Sequence, residues 1–346
     1  MKKNSNEITE LTPLYKKISS ILENARKNAY RAIDNTMVLA YWHIGRLIVE
    51  NEQKGSFRAE YGKAVIGVLS ARLIKKFGRG FDERNLWYMK QFYIYFQNMN
   101  ALRSELSWTH YRLILRVENE DARNFYVIET VKNNWSTREL DRQISTLLFE
   151  RIALSKSHKK VKELAVKGQE IRKADDIIKD PYVLEFLDLK KNAALDETTL
   201  ESALIDKLEE FLLELGRGFS FIARQKRITI DGDHYYIDLV FYNYILKCFF
   251  LIDLKMGKLT HQDIGQMDFY VRYFEEEEKI EGDNPAIGLI LCADKNDAMV
   301  KYTLLKGNKK IFASKYKLYL PSEDELRREI LREKEIIERE KRLLIS

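Results

Sequence analysis

Residues 234–270 read HYYIDLVFYNYILKCFFLIDLKMGKLTHQDIGQMDFY, and two apolar runs within this stretch decide the fold of the C-terminal half. Residues 236–241 and 248–255 are rich in aromatic and β-branched side chains. Each run is broken by one carboxylate, Asp238 or Asp253, and a short polar break at 242–244 separates them. Such runs predict the two strands of a hairpin. With the turn centred near 243–246, Asp238 and Asp253 fall at nearly opposite positions across the antiparallel pair. Strand alternation then puts Lys255 on the face of Asp253 and turns Leu254 the other way.

A carboxylate inside a buried strand is costly unless it is paired or bound to a cation. Two carboxylates sharing one ion, with an ammonium beside them, resolve that cost. Oxygen donors suit Mg²⁺ or Mn²⁺, and the sequence offers no Cys/His cluster for zinc. A hard cation next to a lysine suits phosphoryl transfer. The ion neutralises phosphate charge and acidifies water, while the lysine orients that water or stabilises developing charge. Phosphodiester hydrolysis is the reaction these groups imply.

Asp238 followed by Asp253-x-Lys255 after an apolar strand resembles the PD-(D/E)xK nuclease motif, with Ile237 where the motif's name has Pro. Gln266 and Tyr270 resemble the QxxxY signature carried on the next helix by some branches, and four residues apart they share one helical face. The ordered set from Leu200 to Cys292 is similar to the YhcG-type branch of the superfamily. That resemblance implies a restriction-endonuclease-like α/β domain with a mixed central sheet, preceded by a helical N-terminal domain. It also implies a metal held by Asp238, Asp253 and the Leu254 backbone carbonyl, with Lys255 positioning or activating water. Gln266 and Tyr270 would orient the site or touch the nucleic-acid backbone, and the cellular setting would be bacterial DNA processing or defence.

Composition sets outer bounds. With 346 residues, 45% hydrophobic, 4 Pro and 15 Gly, the chain can bury two sizeable cores. Cys248 and Cys292, the two cysteines, lie in apolar strand-like runs, which predicts reduced thiols and a cytoplasmic protein. No apolar run is long enough to span a membrane, and the N-terminus lacks an apolar signal core. Residues 1–150 carry 24 Lys+Arg against 17 Asp+Glu, a balance of +7, so the basic excess of the chain is N-terminal. That bias fits either a domain contacting phosphates or a solvated helical surface.

In chain order, residues 12–150 show helical periodicity. Leu14, Ile18, Ile21 and Leu22 form one apolar stripe, and a second helix over 61–76 ends at Phe77-Gly78-Arg79-Gly80-Phe81. Asp82 caps the next helix, which carries Arg84, Lys90 and Gln91. Helix, glycine turn, helix is either a packed hairpin or a DNA-reading helix-turn-helix. The aromatic string at 87–93 is either core or a stacking surface for bases. Ser136 to Glu139 predicts a capping box. Residues 151–180, charged and weakly periodic, predict a linker. A nuclease-like domain spans 181–320 and a charged helix 321–346.

Within 181–320 a single helix over 200–215 precedes a first strand at 219–230. Glu201 is either a further acid at the metal or an exposed first-turn Glu favoured by the helix dipole. Arg224, Lys226 and Arg227 either grip phosphates or decorate an edge strand. The sequence thus predicts a Mg²⁺- or Mn²⁺-dependent deoxyribonuclease, with DNA as partner and self-association through the C-terminal helix or helical domain open. The alternative is a DNA-binding or scaffold protein that recruits a partner.

Overall fold

A sheet of six strands organises the C-terminal half of the described residues, in the spatial order 182–183, 311–317, 287–294, 248–258, 233–243 and 219–230. In the computed structural model, residues 3–54, 59–99, 102–154, 158–189, 196–295 and 310–319 are described. The chain divides into two units, 1–140 and 141–346.

The first unit is helical. Its elements are α1 (Lys3–Lys54), α2 (Ala59–Phe77), α3 (Glu83–Tyr95), α4 (Trp108–Ile114) and α5 (Glu120–Asn133), with α6 (Thr137–Ser145) beginning at its end. Leu14, Ile18, Ile21 and Leu22 do lie on a helix, but all four are exposed; burial begins at Val38, where α1 meets its neighbours. There Gly45 of α1 backs onto the Met89 carbonyl of α3, an approach that leaves no room for a β-carbon. Ile48, Ile66, Leu86 and Met89 form the shared core. Asp82 caps α3 by accepting the Asn85 N–H at 2.7 Å, as its position predicts. The capping box also forms, with Ser136 N donating to Glu139 Oε2 at 2.6 Å.

The second unit continues with α7 (Leu148–Leu154), α8 (His158–Lys167), β1 (Tyr182–Val183), α9 (Glu197–Asp206) and α10 (Leu208–Leu215). Then come β2 (Phe219–Ile230), β3 (Asp233–Asn243), β4 (Cys248–Lys258), α11 (His261–Tyr273), β5 (Ile287–Asp294) and β6 (Ile311–Lys317). Strands β2, β3 and β4 are antiparallel and β4, β5, β6 and β1 are parallel, so the sheet is mixed.

Alternate residues of the strands feed two cores. Leu239, Phe241, Ile252 and Leu254 pack with Leu200, Leu204 and Phe211 of α9 and α10. Val240, Leu251 and Ile290 pack with Ile264, Met267 and Val271 of α11. Each fully buried aliphatic contributes about 1.5–3 kcal/mol, so layers of helix on both faces of the sheet hold its register.

One expectation needs adjustment. The helix expected over 200–215 is broken at Lys207, which caps α9 with φ −117° and ψ 36°, so each piece turns its own apolar face to the sheet. The stretch expected as a linker, 151–180, is counted with the second unit. Arg151 is buried there, donating to Glu214 Oε1 at 2.5 Å and to the Pro181 carbonyl at 3.0 Å. A charged composition concealed a buried ion network. The helix expected at 321–346 lies outside the described residues. Cys248 and Cys292 are buried and free.

Candidate active site

The hairpin register brings the two aspartates together. The β3–β4 ladder ends with Leu239 opposite Ile252, and one step further in the same register sets Asp238 opposite Asp253. Asp238 Oδ2 accepts the Leu254 N–H at 2.7 Å. Asp253, 2% exposed, has Lys255 Nζ 2.9 Å from its Oδ2. Both Asp253 and Lys255 leave β4 on one face because they are two residues apart.

Glu201 reaches the same place from α9 and is buried, not exposed. Gln225 joins them. In the β2–β3 register it stands opposite Asp238, between the pairs Arg224–Leu239 and Lys226–Ile237, with a φ of 46° that a non-glycine residue adopts only under constraint. Its amide Nε2 donates to Glu201 Oε2 at 2.5 Å and to Asp238 Oδ1 at 3.0 Å. Nothing in the sequence singled Gln225 out, because it sits in a run of cations; only the position opposite Asp238 could have marked it. Glu197, also unforeseen, lies on the first turn of α9 with Oε2 3.6 Å from Lys255 Nζ.

Gln266 and Tyr270 of α11 face the site as their four-residue spacing predicts, but they bond to each other and to the protein. Gln266 Nε2 donates to the Tyr270 hydroxyl at 2.5 Å, and that hydroxyl donates to the Tyr236 carbonyl at 2.7 Å. Arg224 is half-exposed, with Nε 3.3 Å from Glu201 Oε1. Lys226 pairs with Glu278 at 2.9 Å, and Arg227 is exposed. In the helical unit Lys90 pairs with Glu52 at 2.6 Å, so its charge is compensated within the fold, whereas Arg84 is exposed.

The electrostatics are those of crowded like charges. Burial, and then the nearby Asp238 carboxylate, push Asp253 up to about 7, with Lys255 acting in the opposite direction. Burial raises Glu201 as well; the Gln225 hydrogen bond opposes this and Asp238 adds to it. For Lys255, burial works against the charged form but Asp253 more than offsets it, leaving the ammonium above its usual range.

Among the described residues no group of three His, Cys, Asp or Glu side chains is placed to hold a metal ion by itself. The donor set nevertheless fits a hard cation. Glu201 Oε1 and Asp253 Oδ2 are buried and face one cationic side chain each, Arg224 and Lys255, with no other donor. Buried carboxylate oxygens left open in this way, in a cluster whose members raise one another's pKa, are stabilised by a divalent ion completed with water or substrate oxygens.

Comparison with known proteins divides the chain into two family matches separated by 152–174. Residues 175–331 match the YhcG PDDEXK nuclease domain, and residues 17–151 match the DUF1016 N-terminal domain. The chain is 36% identical over 353 residues to YhcG of Escherichia coli (strain K12), a protein named provisionally as a nuclease, covering 93% of this chain and 94% of that one. A repair endonuclease from Pyrococcus abyssi is 17% identical with a TM-score of 0.26, over 38% of this chain and 50% of that structure. A complex titled EndoMS-dsDNA2 is 15% identical with a TM-score of 0.26, over 39% of this chain and 50% of that one. The chain thus spans about half the length of these solved structures.

Proposed function

This chain belongs to the YhcG-type PDDEXK nuclease family, and from that premise we propose that it hydrolyses phosphodiester bonds in DNA with the help of a divalent cation, Mg²⁺ or Mn²⁺. The observation that carries this reading is Asp238 set opposite Asp253, with Lys255 on Asp253 and Glu201 tied to Asp238 through Gln225.

Asp238, Asp253 and the Leu254 carbonyl would hold the ion, with Glu201 as a further oxygen donor. Bound there, the ion would supply charge neutralisation of the phosphate and acidification of water. The chain's own residues do the rest. Lys255 is held as an ammonium at neutral pH by Asp253, so it acts as a donor that orients the attacking water and stabilises negative charge gathering on the phosphoryl oxygens. Gln225 locks Glu201 and Asp238 in one geometry, because a single amide bonds both. Tyr270 anchors the β3 backbone at Tyr236 and Gln266 anchors Tyr270, so this pair positions the strand that carries Asp238. Arg224 is placed to hold a phosphate next to the scissile one, with Arg227 further along the strand.

No helix of the described residues is long and apolar enough to cross a membrane. A cytoplasmic enzyme acting in DNA processing or defence is consistent with the buried free thiols. The test is cleavage of plasmid, linear and branched DNA with Mg²⁺ or Mn²⁺ by the unaltered protein, Lys255→Ala and Asp253→Ala. Metal-dependent cutting lost in both variants is the expected result. Salt-sensitive DNA binding without cutting, unchanged in both variants, would replace this reading with a binding module.

A further inference from the structure

Helix α3 has two faces of different character. Leu86, Met89 and Phe92 point inward and are fully buried, whereas Trp87 is 40% exposed and Ile94 44% exposed. The aromatic string of this helix is therefore core on one side only. On the outer side, Arg84, Trp87, Tyr88, Lys90, Gln91 and Ile94 line an open cavity of about 350 Å³.

The cavity is unusually cationic around one ring. The guanidinium carbons of Arg84 and Arg112 lie 5.8 and 5.1 Å from the centre of the Tyr88 ring. The Arg84 and Arg116 side chains also bond the Tyr88 hydroxyl and, against the effect of burial, hold it below the usual tyrosine range. Among the described residues neither Arg84 nor Arg112 forms an ion pair, and the buried Nε of Arg112 has no hydrogen-bond partner. Two such arginines on one ring, Arg84 and Arg112, repel each other, and an anion relieves that repulsion. Guanidinium donors match the paired oxygens of a phosphate. Lys90 is different: it pairs with Glu52 and lies 4.6 Å over the Trp87 ring, which fixes the indole and leaves Lys90 with little charge to offer.

Resting on the DNA reading of the preceding section, we propose that this cavity in the helical unit is a binding site for single-stranded DNA. A backbone phosphate sits on Arg84 and Arg112, and an adjacent unpaired base stacks on Trp87. A recess at the small end of ordinary ligand cavities accepts one nucleotide and not a duplex. A base presents a free face for stacking only when it is unpaired. The site makes the helical unit a sensor of the unpaired end, gap or branch next to which cleavage would occur.

The experiment measures fluorescence anisotropy of a labelled thymidine 15-mer and of a duplex of equal length, with full-length protein in EDTA so that cleavage does not intervene. Trp87→Ala, Trp87→Phe and Arg84→Ala/Arg112→Ala are compared with the unaltered chain. Trp87→Ala is expected to weaken 15-mer binding about tenfold or more, consistent with loss of one stacked base, and Trp87→Phe to restore most of it. The arginine pair is expected to lower the slope of log affinity against log salt by about 0.7, the contribution of one phosphate contact on a single strand. Trp87 is exposed, so unchanged melting temperature of its variants separates binding from folding. Unaltered 15-mer affinity in both Trp87→Ala and the arginine pair, or equal losses for duplex and single strand in Trp87→Ala, would overturn the site. Metal-dependent DNA cutting by the unaltered chain, measured alongside, tells failure of this inference from failure of the nuclease reading.

Discussion

Lys255 Nζ lies 2.9 Å from Asp253 Oδ2, two residues away on the same face of β4. The contact holds the lysine charged. On the proposed mechanism, removing the ammonium removes the donor that would meet the phosphate. Lys255→Ala is expected to lower the single-turnover cleavage rate by about 10²–10³-fold with DNA affinity nearly unchanged. A rate within threefold of the unaltered protein would exclude Lys255 from the chemistry.

Asp253 gives a pH dependence with a definite sign. Its folded pKa of about 7 is above the roughly 3.9 of an unfolded aspartate, so the folded state keeps a proton that the unfolded state has released. Without metal, stability should be greatest at low pH and fall as pH rises towards 7, with a slope approaching about 1.4 kcal/mol per pH unit, then level off. Thermal melts in EDTA from pH 5 to 8 read this directly. Asp253→Asn should flatten the curve and melt higher than the parent at pH 8; a lower melting point there would contradict the crowded-carboxylate account.

Divalent ions should reverse that loss. An ion bound only by the folded state stabilises it by about 2.7 kcal/mol at a hundredfold excess over its dissociation constant. Adding Mg²⁺ or Mn²⁺ at pH 8 is expected to raise the melting temperature of the parent and to leave Asp238→Ala unchanged. Equal shifts in both proteins would place the ion elsewhere.

Gln225 offers a test of positioning apart from chemistry. Its amide holds Glu201 and Asp238, and it touches no other group assigned to the substrate. Gln225→Ala should weaken metal binding or cleavage by about 10–100-fold while folding normally, and raising the metal concentration should restore part of the rate. A wild-type metal titration curve in this variant would show that the bridge is incidental.

Away from the site, Glu214 is fully buried. Burial alone would raise its pKa, but Arg151, Lys179 and Arg142 more than offset that and hold it at about 2. Glu214→Gln strands Arg151 in the core and is expected to cost about 3–5 kcal/mol, read as a lower denaturant midpoint. Cleavage at low temperature should be retained.

The sequence by itself determined whatever depends on near neighbours. Period-two alternation in 236–255 placed Asp238, Asp253 and Lys255, the i,i+4 spacing paired Gln266 with Tyr270, and Asp82 and Ser136 marked helix starts, because strand and helix geometry relates residues a few positions apart. The mixed character of the sheet followed from the resemblance that these motifs carry. Only the tertiary structure decided which distant partner each polar group meets. Gln225 gains its place because β2 pairs with β3 and α9 packs across them. Lys90 is taken by Glu52 and Lys226 by Glu278, and Arg151, in a stretch that reads as a linker, is buried against Glu214. One face of α3 became core and the other a cationic recess. A charged side chain reads alike in sequence whether it will be solvated, paired or left open, since its free energy depends on burial and on charges brought close by chain closure over tens of residues.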